Sequence, residues 1–359
     1  MKKTLAFILI FTLILTLCSC GAKEGFNVSV FYYTFSDTYI ASVRSALDSA
    51  FRSAGISFQN YDSNSNQTTQ NEQIDTAISK GTDLLLVNIV TSGSPDASSA
   101  IVEKARAAGI PVVFFNRTIE DDGSEGIVLS SYENLAYVGT DAEEAGHLQG
   151  EMIGNYVLEN YDSIDLNKDG KISYAMFMGQ LGNAEAIYRT RYAVEDADKI
   201  LKSNGKPALS YFDFSNADRY QVDQDGNWSA TAANNYMTTN LTQFNEKNNN
   251  MIELVICNND GMAEGVISAL NDKGYNSGEG SVTIPVFGVD ATDAAKQLIS
   301  DGKMAGTVKQ DAVGMANSLC YLAENIKNSK ALLEGTENFE ADKAIKNKFY
   351  VPYAPYIGE

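Results

Sequence analysis

The chain has 359 residues, with 46 acidic and 27 basic side chains and a formal net charge of −19 at neutral pH. So acidic a surface disfavours nucleic acids and anionic membranes as binding partners. The length suits two domains of ordinary size.

The first twenty residues have the layout of a secretory signal peptide. Lys2 and Lys3 precede an almost wholly apolar run from Leu5 to Leu17, which is too short for a permanent transmembrane helix. The run ends in Leu17-Cys18-Ser19-Cys20, which resembles the lipobox of bacterial lipoproteins. We therefore expect an exported protein that lipidated Cys20 anchors to a membrane surface. An ordinary signal peptide with incidental cysteines is the alternative.

From residue 26 onward, short apolar strands alternate with helical segments that often end at glycine. The pattern predicts strands over 28–33, 56–61, 84–90 and 110–116, with helices over 40–54, 71–80 and 96–108. It then repeats, with helices over 142–159, 184–204, 231–247, 262–273 and 291–300, and strands over 172–179, 209–214, 254–257, 286–289 and 307–309. This order predicts an α/β protein of two similar lobes, each a parallel sheet covered on both faces. Ligands of such sheets sit at the carboxyl ends of the strands.

Residues 165–173 follow the first nine positions of an EF-hand-type calcium loop. The oxygen donors are the side chains of Asp165, Asn167, Asp169 and Ser173 and the carbonyl of Lys171. Gly170 occupies the position of the sharp turn, whereas Met176 replaces the usual twelfth-position Glu, so one ligand must come from elsewhere. The alternative is a surface turn rich in Asp, Asn and Gly.

With this loop, the chain resembles the periplasmic glucose/galactose-binding proteins over nearly all of its length beyond the signal segment. Further matching blocks are 111–116, 137–141, 257–263, 284–290, 305–308 and 351–353. The resemblance implies the periplasmic-binding-protein type I fold: two doubly wound lobes joined by three crossing strands, near 137–140, 310–312 and 348–352. It assigns 26–138 plus 312–347 to the N-terminal lobe and 140–309 plus 349–359 to the C-terminal lobe.

The resemblance also implies a structural Ca²⁺ in the 165–173 loop, with Glu253 as the remote bidentate ligand. Ser173 stands where the family usually has an amide side chain. A hydroxyl reaches less far, so we expect a weaker site or an intervening water.

The resemblance implies ten sugar-binding positions. They are Asp37, Tyr39, Asn88, Asn183, Glu185, Arg189, Trp228, Asn259, Asp290 and Gln310. Tyr39 and Trp228 would pack on the two faces of the sugar, and the planar polar groups would bond its hydroxyls. Asn183, Glu185 and Gln310 replace the usual His, Asp and Asn, so the exact hexose stays open.

We therefore expect an extracytoplasmic, monomeric lipoprotein that captures D-glucose or D-galactose and delivers it to the permease of an ABC-type importer. The alternatives are another small sugar, such as a pentose or a methyl-galactoside, and a sensory sugar receptor of the kind used in chemotaxis. Asp37, Glu185 and Asp290 are better explained as hydroxyl acceptors than as a glycosidase acid/base pair, and no nucleophile elbow or phosphate-binding glycine loop is present. An enzyme is thus disfavoured, and the signal peptide disfavours a DNA-binding regulator.

Overall fold

The computed structural model describes residues 25–120 and 125–358. The predicted signal peptide and the predicted lipidation site, Cys20, lie outside the described residues. Within the described residues, no helix combines the length and the apolar character needed to span a bilayer.

Strands and helices alternate along the chain. The first block consists of β1 Asn27–Tyr32, α1 Thr38–Ser53, β2 Ser57–Asp62, α2 Gln67–Ser79, β3 Leu84–Val87, α3 Pro95–Ala108, β4 Val112–Phe115, α4 Glu125–Ser130 and β5 Leu135–Gly139. The second consists of α5 Ala142–Ile164, β6 Ser173–Met178, α6 Ala184–Ser203, β7 Ser210–Tyr211, β8 Gln221–Val222, α7 Ala230–Gln243, β9 Leu254–Cys257, α8 Asp260–Asn271, β10 Val286–Asp290, α9 Asp293–Ser300 and β11 Gly306–Gln310. The described chain ends with α10 Ala312–Lys327, β12 Glu340–Ala341, β13 Lys348–Tyr350 and β14 Tyr353–Tyr356.

The strands form two separate sheets. The first has the order β12-β13-β5-β4-β3-β1-β2 and is parallel except for the β12–β13 pair. The second has the order β14-β11-β10-β9-β6-β7, with β8 also paired to β6, and only its edge strand β14 is antiparallel among the pairs described. We call the two halves built on these sheets the first lobe and the second lobe. The predicted α/β fold of two doubly wound lobes is confirmed.

Each sheet is buried on both faces, as the apolar runs predict. In β3, Leu84 and Leu86 pack in the cluster that contains α1 and α10, whereas Leu85 and Val87 pack in the cluster that contains α2 and α3. Successive residues of a strand point to opposite faces, so a run of apolar residues fills both interfaces.

The chain passes between the lobes at three crossings: after β5, after β11, and between β13 and β14. The predicted start of the second lobe's last segment at residue 349 is too early. Phe349 and Tyr350 pair with Val138 and Gly139 of β5, so they belong to the first sheet. The third crossing therefore lies between Tyr350 and Tyr353.

Candidate functional site

A cavity lies between the lobes, at the carboxyl ends of the strands, and encloses about 380 Å³ of empty space when its opening to solvent is included. The first lobe contributes Tyr33, Asp37, Tyr39, Asn116 and Arg117; the second contributes Asn183, Glu185, Arg189, Trp228, Asn259, Asp290 and Gln310. The structure thus brings together every sugar-binding position predicted from the sequence except Asn88.

Asn88 follows β3 as predicted, but it is fully buried behind the cavity wall. Its Oδ1 accepts a hydrogen bond from the Tyr33 amide at 3.1 Å. Its Nδ2 donates to the Phe115 carbonyl at 3.2 Å and to Asn116 Oδ1 at 3.1 Å. Asn88 therefore positions the segments after β1 and β4, and the expectation that it faces the ligand is not met in this structure.

Tyr33, Asn116 and Arg117 line the cavity although the sequence analysis did not single them out. Tyr33 directly follows β1, and the other two directly follow β4. The rule that ligand residues follow parallel strands would have identified all three.

Arg117 is a buried cation at the boundary between the lobes. Its Nη2 donates to the Val90 carbonyl at 3.1 Å and, across the cleft, to Gln180 Oε1 at 2.7 Å. The guanidinium lies 4.2 Å from the centre of the Tyr33 ring. Burial lowers the pKa of Arg117.

A second hydrogen bond joins the lobes at the mouth of the cleft. Ser65 Oγ of the first lobe donates to Asn227 Oδ1 of the second lobe at 2.9 Å. Together with the Arg117–Gln180 bond, this contact shows that the lobes are closed on each other in this structure.

Besides Tyr33, the aromatic side chains of Tyr39 and Trp228 line the cavity from opposite lobes. Tyr39 lies in the first turn of α1, and Trp228 precedes α7; they are 5% and 8% exposed. A Cβ atom at Gly179 would overlap the indole ring, so glycine at the end of β6 is what lets Trp228 lie there.

Three residues of the cavity wall have unusual backbone angles. Asn116, Trp228 and Asp290 have φ values of 63°, 57° and 129°. Residues other than glycine rarely adopt these conformations, because they are strained. Strained backbone of this kind is concentrated at ligand-binding sites. The wall is therefore held in shape by the surrounding fold.

Several of the lining residues also cap helices. Asp37, Asn183 and Asn259 each accept one hydrogen bond from the first turn of the following helix, at 2.8, 3.2 and 2.8 Å. The second oxygen of Asp37 accepts from the Tyr33 hydroxyl at 2.6 Å. Capping fixes these side chains, but it also uses acceptor capacity that a ligand would need.

Glu185 and Arg189 form a buried ion pair of 2.8 Å, with side chains 9% and 4% exposed. Both carboxylate oxygens of Glu185 are bonded within the protein: Thr140 Oγ1 donates to Oε1 at 2.7 Å, and Tyr353 Oη donates to Oε2 at 2.9 Å. Arg189 Nη1 donates to the Asn258 carbonyl at 2.9 Å. The Coulombic influence of Tyr353 and Glu185 raises the pKa of Arg189, although burial alone would lower it.

Five of the lining residues carry buried polar atoms that have no hydrogen-bond partner within the described part of the chain. These atoms are Tyr39 Oη, Arg117 Nε, Arg189 Nε, Asp290 Oδ2 and Gln310 Nε2. An unpaired buried polar group costs about 1–3 kcal/mol, and such groups are uncommon in folded proteins. Burial and the nearby charge of Asp260 raise the pKa of Asp290. A polar ligand in the cavity would provide the missing partners.

The predicted calcium loop lies in the second lobe, after α5. Asp165 accepts from the amides of Asp169 and Gly170, at 3.2 and 3.1 Å. Glu253 accepts from the amides of Asn167 and Ser173, both at 2.8 Å, so the expected remote residue does contact the loop.

The donors of this loop fit a cation only in part. Burial and the charges of Asp165 and Asp169 raise the pKa of Glu253, and a cation would relieve that repulsion. Asn167, however, bonds the Met251 backbone through both ends of its amide, and Ser173 Oγ donates to the Met251 carbonyl. Among residues 25–120 and 125–358, no cluster of three or more acidic, His or Cys side chains is arranged as a metal site.

Comparison with known proteins agrees with this architecture. The model of the periplasmic binding protein domain matches residues 28–331. The chain is 34% identical to the D-galactose/methyl-galactoside binding periplasmic protein of Haemophilus influenzae, over all of this chain and 97% of that protein. It is 29% identical to the D-xylose-binding periplasmic protein of Escherichia coli, over 74% of this chain and 67% of that protein.

A solved structure shares the fold. It is an ABC transporter solute binding protein from Clostridium phytofermentans with bound β-D-glucose. Its TM-score is 0.66 at 20% identity, and the match covers 92% of this chain and 93% of that chain. Members of this family act outside the cytoplasm, and they bind substrates without transforming them. The chain belongs to the periplasmic binding protein family.

Proposed function

We propose that the protein captures D-glucose or D-galactose between its lobes and delivers it to the permease of its importer. The observation that supports this most is the group of five buried polar atoms without partners in one cavity. They include donors and acceptors, and the cavity also has an aromatic ring from each lobe. Sugars need both features, because their hydroxyls donate and accept while their faces pack on rings.

The proposed roles follow from the atoms that the protein leaves free. Arg189 Nε and Gln310 Nε2 would donate to sugar oxygens, and Asp290 Oδ2 would accept from a hydroxyl. Tyr39 and Trp228 would pack on the sugar faces. Asp37, Asn183 and Asn259 would add weaker contacts beside their capping bonds.

The proposed mechanism is reversible capture without covalent chemistry. Sugar binds one lobe, and closure of the other satisfies the remaining hydrogen bonds, so the ligand stabilises the closed state. The bonds from Arg117 to Gln180 and from Ser65 to Asn227 join residues of different lobes, so they would form only on closure. The closed, loaded form would then dock on the permease.

Another small sugar, such as a pentose or a methyl-galactoside, is the second candidate. The position of Asn88 favours it, because one amide fewer than expected is available for hydroxyls. The family relatives named for galactose and for xylose are consistent with either ligand class.

Tryptophan fluorescence tests the choice directly, because Trp228 is the only tryptophan of the chain. The protein without residues 1–20 is titrated with D-glucose, D-galactose, methyl-β-D-galactoside, D-xylose and D-ribose, with calorimetry as confirmation. We expect saturable responses in the micromolar range for glucose or galactose. A response confined to a pentose or to the methyl-galactoside would replace the proposed ligand, and no response to any of them would refute the sugar site.

We further propose that the loop at 165–173 holds a structural Ca²⁺. The carboxylates of Asp165, Asp169 and Glu253 and the carbonyl of Lys171 would bind it. Asn167 would have to turn its amide oxygen away from the Met251 amide to join them, whereas the Ser173 hydroxyl can keep donating to Met251 while its oxygen binds the cation. Adding a chelator should lower the melting temperature well before it alters sugar affinity, with Asp165→Asn as the variant insensitive to chelation. Loss of sugar binding at unchanged stability would contradict a structural role.

We also propose that the chain is anchored by lipid on Cys20. The sequence of residues 17–20 is the support for this proposal. Cells that express the full chain are labelled with a palmitate analogue, and Cys20→Ala is compared with Cys18→Ala. Label should be lost only in the first variant. Equal labelling of both variants would rule out Cys20 as the anchor.

A further inference from the structure

We propose that Glu185 is a positioning residue, which holds Arg189 against the three crossings and makes no hydrogen bond to the ligand. This inference rests on the proposed sugar-binding function, because it assigns a role within the same site. It differs from the expectation drawn from the sequence, in which Glu185 accepts a sugar hydroxyl.

The first argument is that both oxygens of the Glu185 carboxylate already accept hydrogen bonds from the protein. Thr140 donates to Oε1, and Arg189 Nη2 and Tyr353 Oη donate to Oε2, at distances of 2.7, 2.8 and 2.9 Å. Asp290 differs, since its Oδ2 is buried without a partner in the described part of the chain. A hydroxyl donor in the cavity would therefore find its acceptor at Asp290.

The second argument is that residues bonded to the ion pair come from all three crossings between the lobes. Thr140 directly follows β5 at the first crossing, Gln310 ends β11 at the second, and Tyr353 begins β14 at the third. Arg189 Nη2 lies 3.2 Å from Gln310 Oε1 and 2.8 Å from Tyr353 Oη. The pair thus contacts one residue from every connection between the lobes.

This placement links the cavity to the hinge. Rotation of one lobe against the other changes the backbone angles of the crossings, and the hydrogen bonds of Thr140, Gln310 and Tyr353 must change with them. Arg189 would move with those bonds, and its Nε, which is buried without a protein partner within the described residues, would change position in the cavity. Neither Thr140 nor Tyr353 lines the cavity itself.

The length of the side chain agrees with this role. Aspartate, which the family usually has here, is shorter by one methylene, or about 1.5 Å. From the same backbone position it would not reach both Thr140 and Tyr353. The longer carboxylate gains the hinge contacts and gives up its availability to the ligand.

The test compares Glu185→Gln, Tyr353→Phe and the double variant in binding D-glucose, D-galactose and the singly deoxygenated analogues of each. Each single variant should weaken every sugar by the same factor, about 10- to 100-fold. The double variant should be no weaker than the worse single variant, because both changes break one network. Tyr350→Phe is the matched control: its hydroxyl bonds Asp342, outside the network, so affinity should stay within about twofold.

The pattern across the analogues decides the question. If Glu185 bonded a sugar hydroxyl, Glu185→Gln would cost nothing for the one analogue that lacks that hydroxyl, and the positioning role would be overturned. If the wild-type protein bound none of these sugars, the proposed function would fail instead. Thermal unfolding without ligand then tests the network alone: coupled shifts in melting temperature for the two substitutions support it, and additive shifts overturn it.

Discussion

The two lobes build their halves of the cavity in different ways. In the first lobe, most of the bonds that hold the lining residues lie inside that lobe: Asp37 accepts from the Tyr33 hydroxyl, and Asn88 ties the segments of Tyr33 and Asn116 together. Arg117 also bonds Gln180 across the cleft. In the second lobe, Glu185 and Arg189 are bonded to the crossings. We call the two halves of the cavity lining the first wall and the second wall. Once the Arg117–Gln180 bond is broken, the first wall can move as one body, whereas Glu185 and Arg189 in the second wall shift whenever the hinge moves.

Under the proposed function, this difference would let a ligand between the lobes control closure. A sugar held by the second wall would touch a group whose position depends on the hinge, and the first wall would then close as a preformed lid. Of the unpartnered buried atoms in the described cavity wall, those of Arg189, Asp290 and Gln310 belong to the second lobe. The second wall is thus expected to dominate affinity, and substitutions there test that expectation first.

Arg189→Ala should have the largest effect. It removes a ligand donor and leaves Glu185 buried without its counter-ion, so we expect an affinity loss of at least about 1,000-fold and a destabilisation of about 3–5 kcal/mol. Calorimetry and urea unfolding measure the two effects. Arg191→Ala is the control, because Arg191 is 56% exposed and pairs with Glu195 on the helix surface. Near-normal affinity in Arg189→Ala would show that the second wall does not hold the ligand.

Trp228→Ala should come next, because it removes apolar area and a ring face from the sugar. We expect a loss of about 2–3 kcal/mol in binding free energy, with Trp228→Phe recovering part of it. Calorimetry is required, since the substitution removes the fluorescent reporter. Phe214→Ala, which lies in the same lobe and is 87% exposed, should bind normally. Equal losses in both variants would mean that Trp228 acts through the fold and not by contact.

A pH experiment tests how Asp260, a buried carboxylate of the second lobe, affects the free energy of unfolding. Asp260 accepts from Thr307 Oγ1 at 2.6 Å and from the Thr292 amide at 2.8 Å, and burial raises its pKa to about 7. Because the unfolded pKa is about 3.9, the folded state binds more protons in this range, and stability should fall as the pH rises from about 4 to 7.

Asp260→Asn should flatten that decline, by an amount on the order of 2 kcal/mol between pH 5 and pH 8. Urea unfolding at several pH values measures it, and the exposed Asp272→Asn serves as the matched carboxylate control. A slope that is the same in wild type and Asp260→Asn would remove Asp260 as its source.

Ser65→Ala should have the smallest effect, because it removes one exposed bond at the mouth of the cleft. Losing the contact with Asn227 should weaken sugar binding by no more than about threefold, mainly through faster dissociation. Ser53→Ala, whose hydroxyl bonds a carbonyl of its own helix, should leave binding unchanged. A much larger loss of affinity would contradict the expectation that the second wall dominates binding.

Much of the fold could be predicted because the spacing of apolar residues along the chain indicates which faces of helices and strands are buried. Leu254–Cys257 was predicted with its observed bounds, and most other elements differ by a few residues. Helix α10 was not predicted, although Met315, Leu319 and Leu322 bury one face at helical spacing. The predicted strand 209–214 is shorter in the structure, where β7 is only Ser210–Tyr211, and the separate strand β8 pairs with a different part of β6. Which residues pair depends on a strand that is distant in the sequence, so local hydrophobic periodicity does not predict the pairing.

The sequence by itself determined which residues follow the strands and which polar and aromatic types they are. That was enough to identify the family and to gather most of the cavity wall. Only the tertiary structure decided what each polar atom bonds. Asn88 faces Tyr33 and Phe115 instead of the cavity, and Glu185 meets Tyr353, which is 168 residues away in the chain. A buried polar group takes the nearest partner in space, and that partner is set by the packing of both lobes.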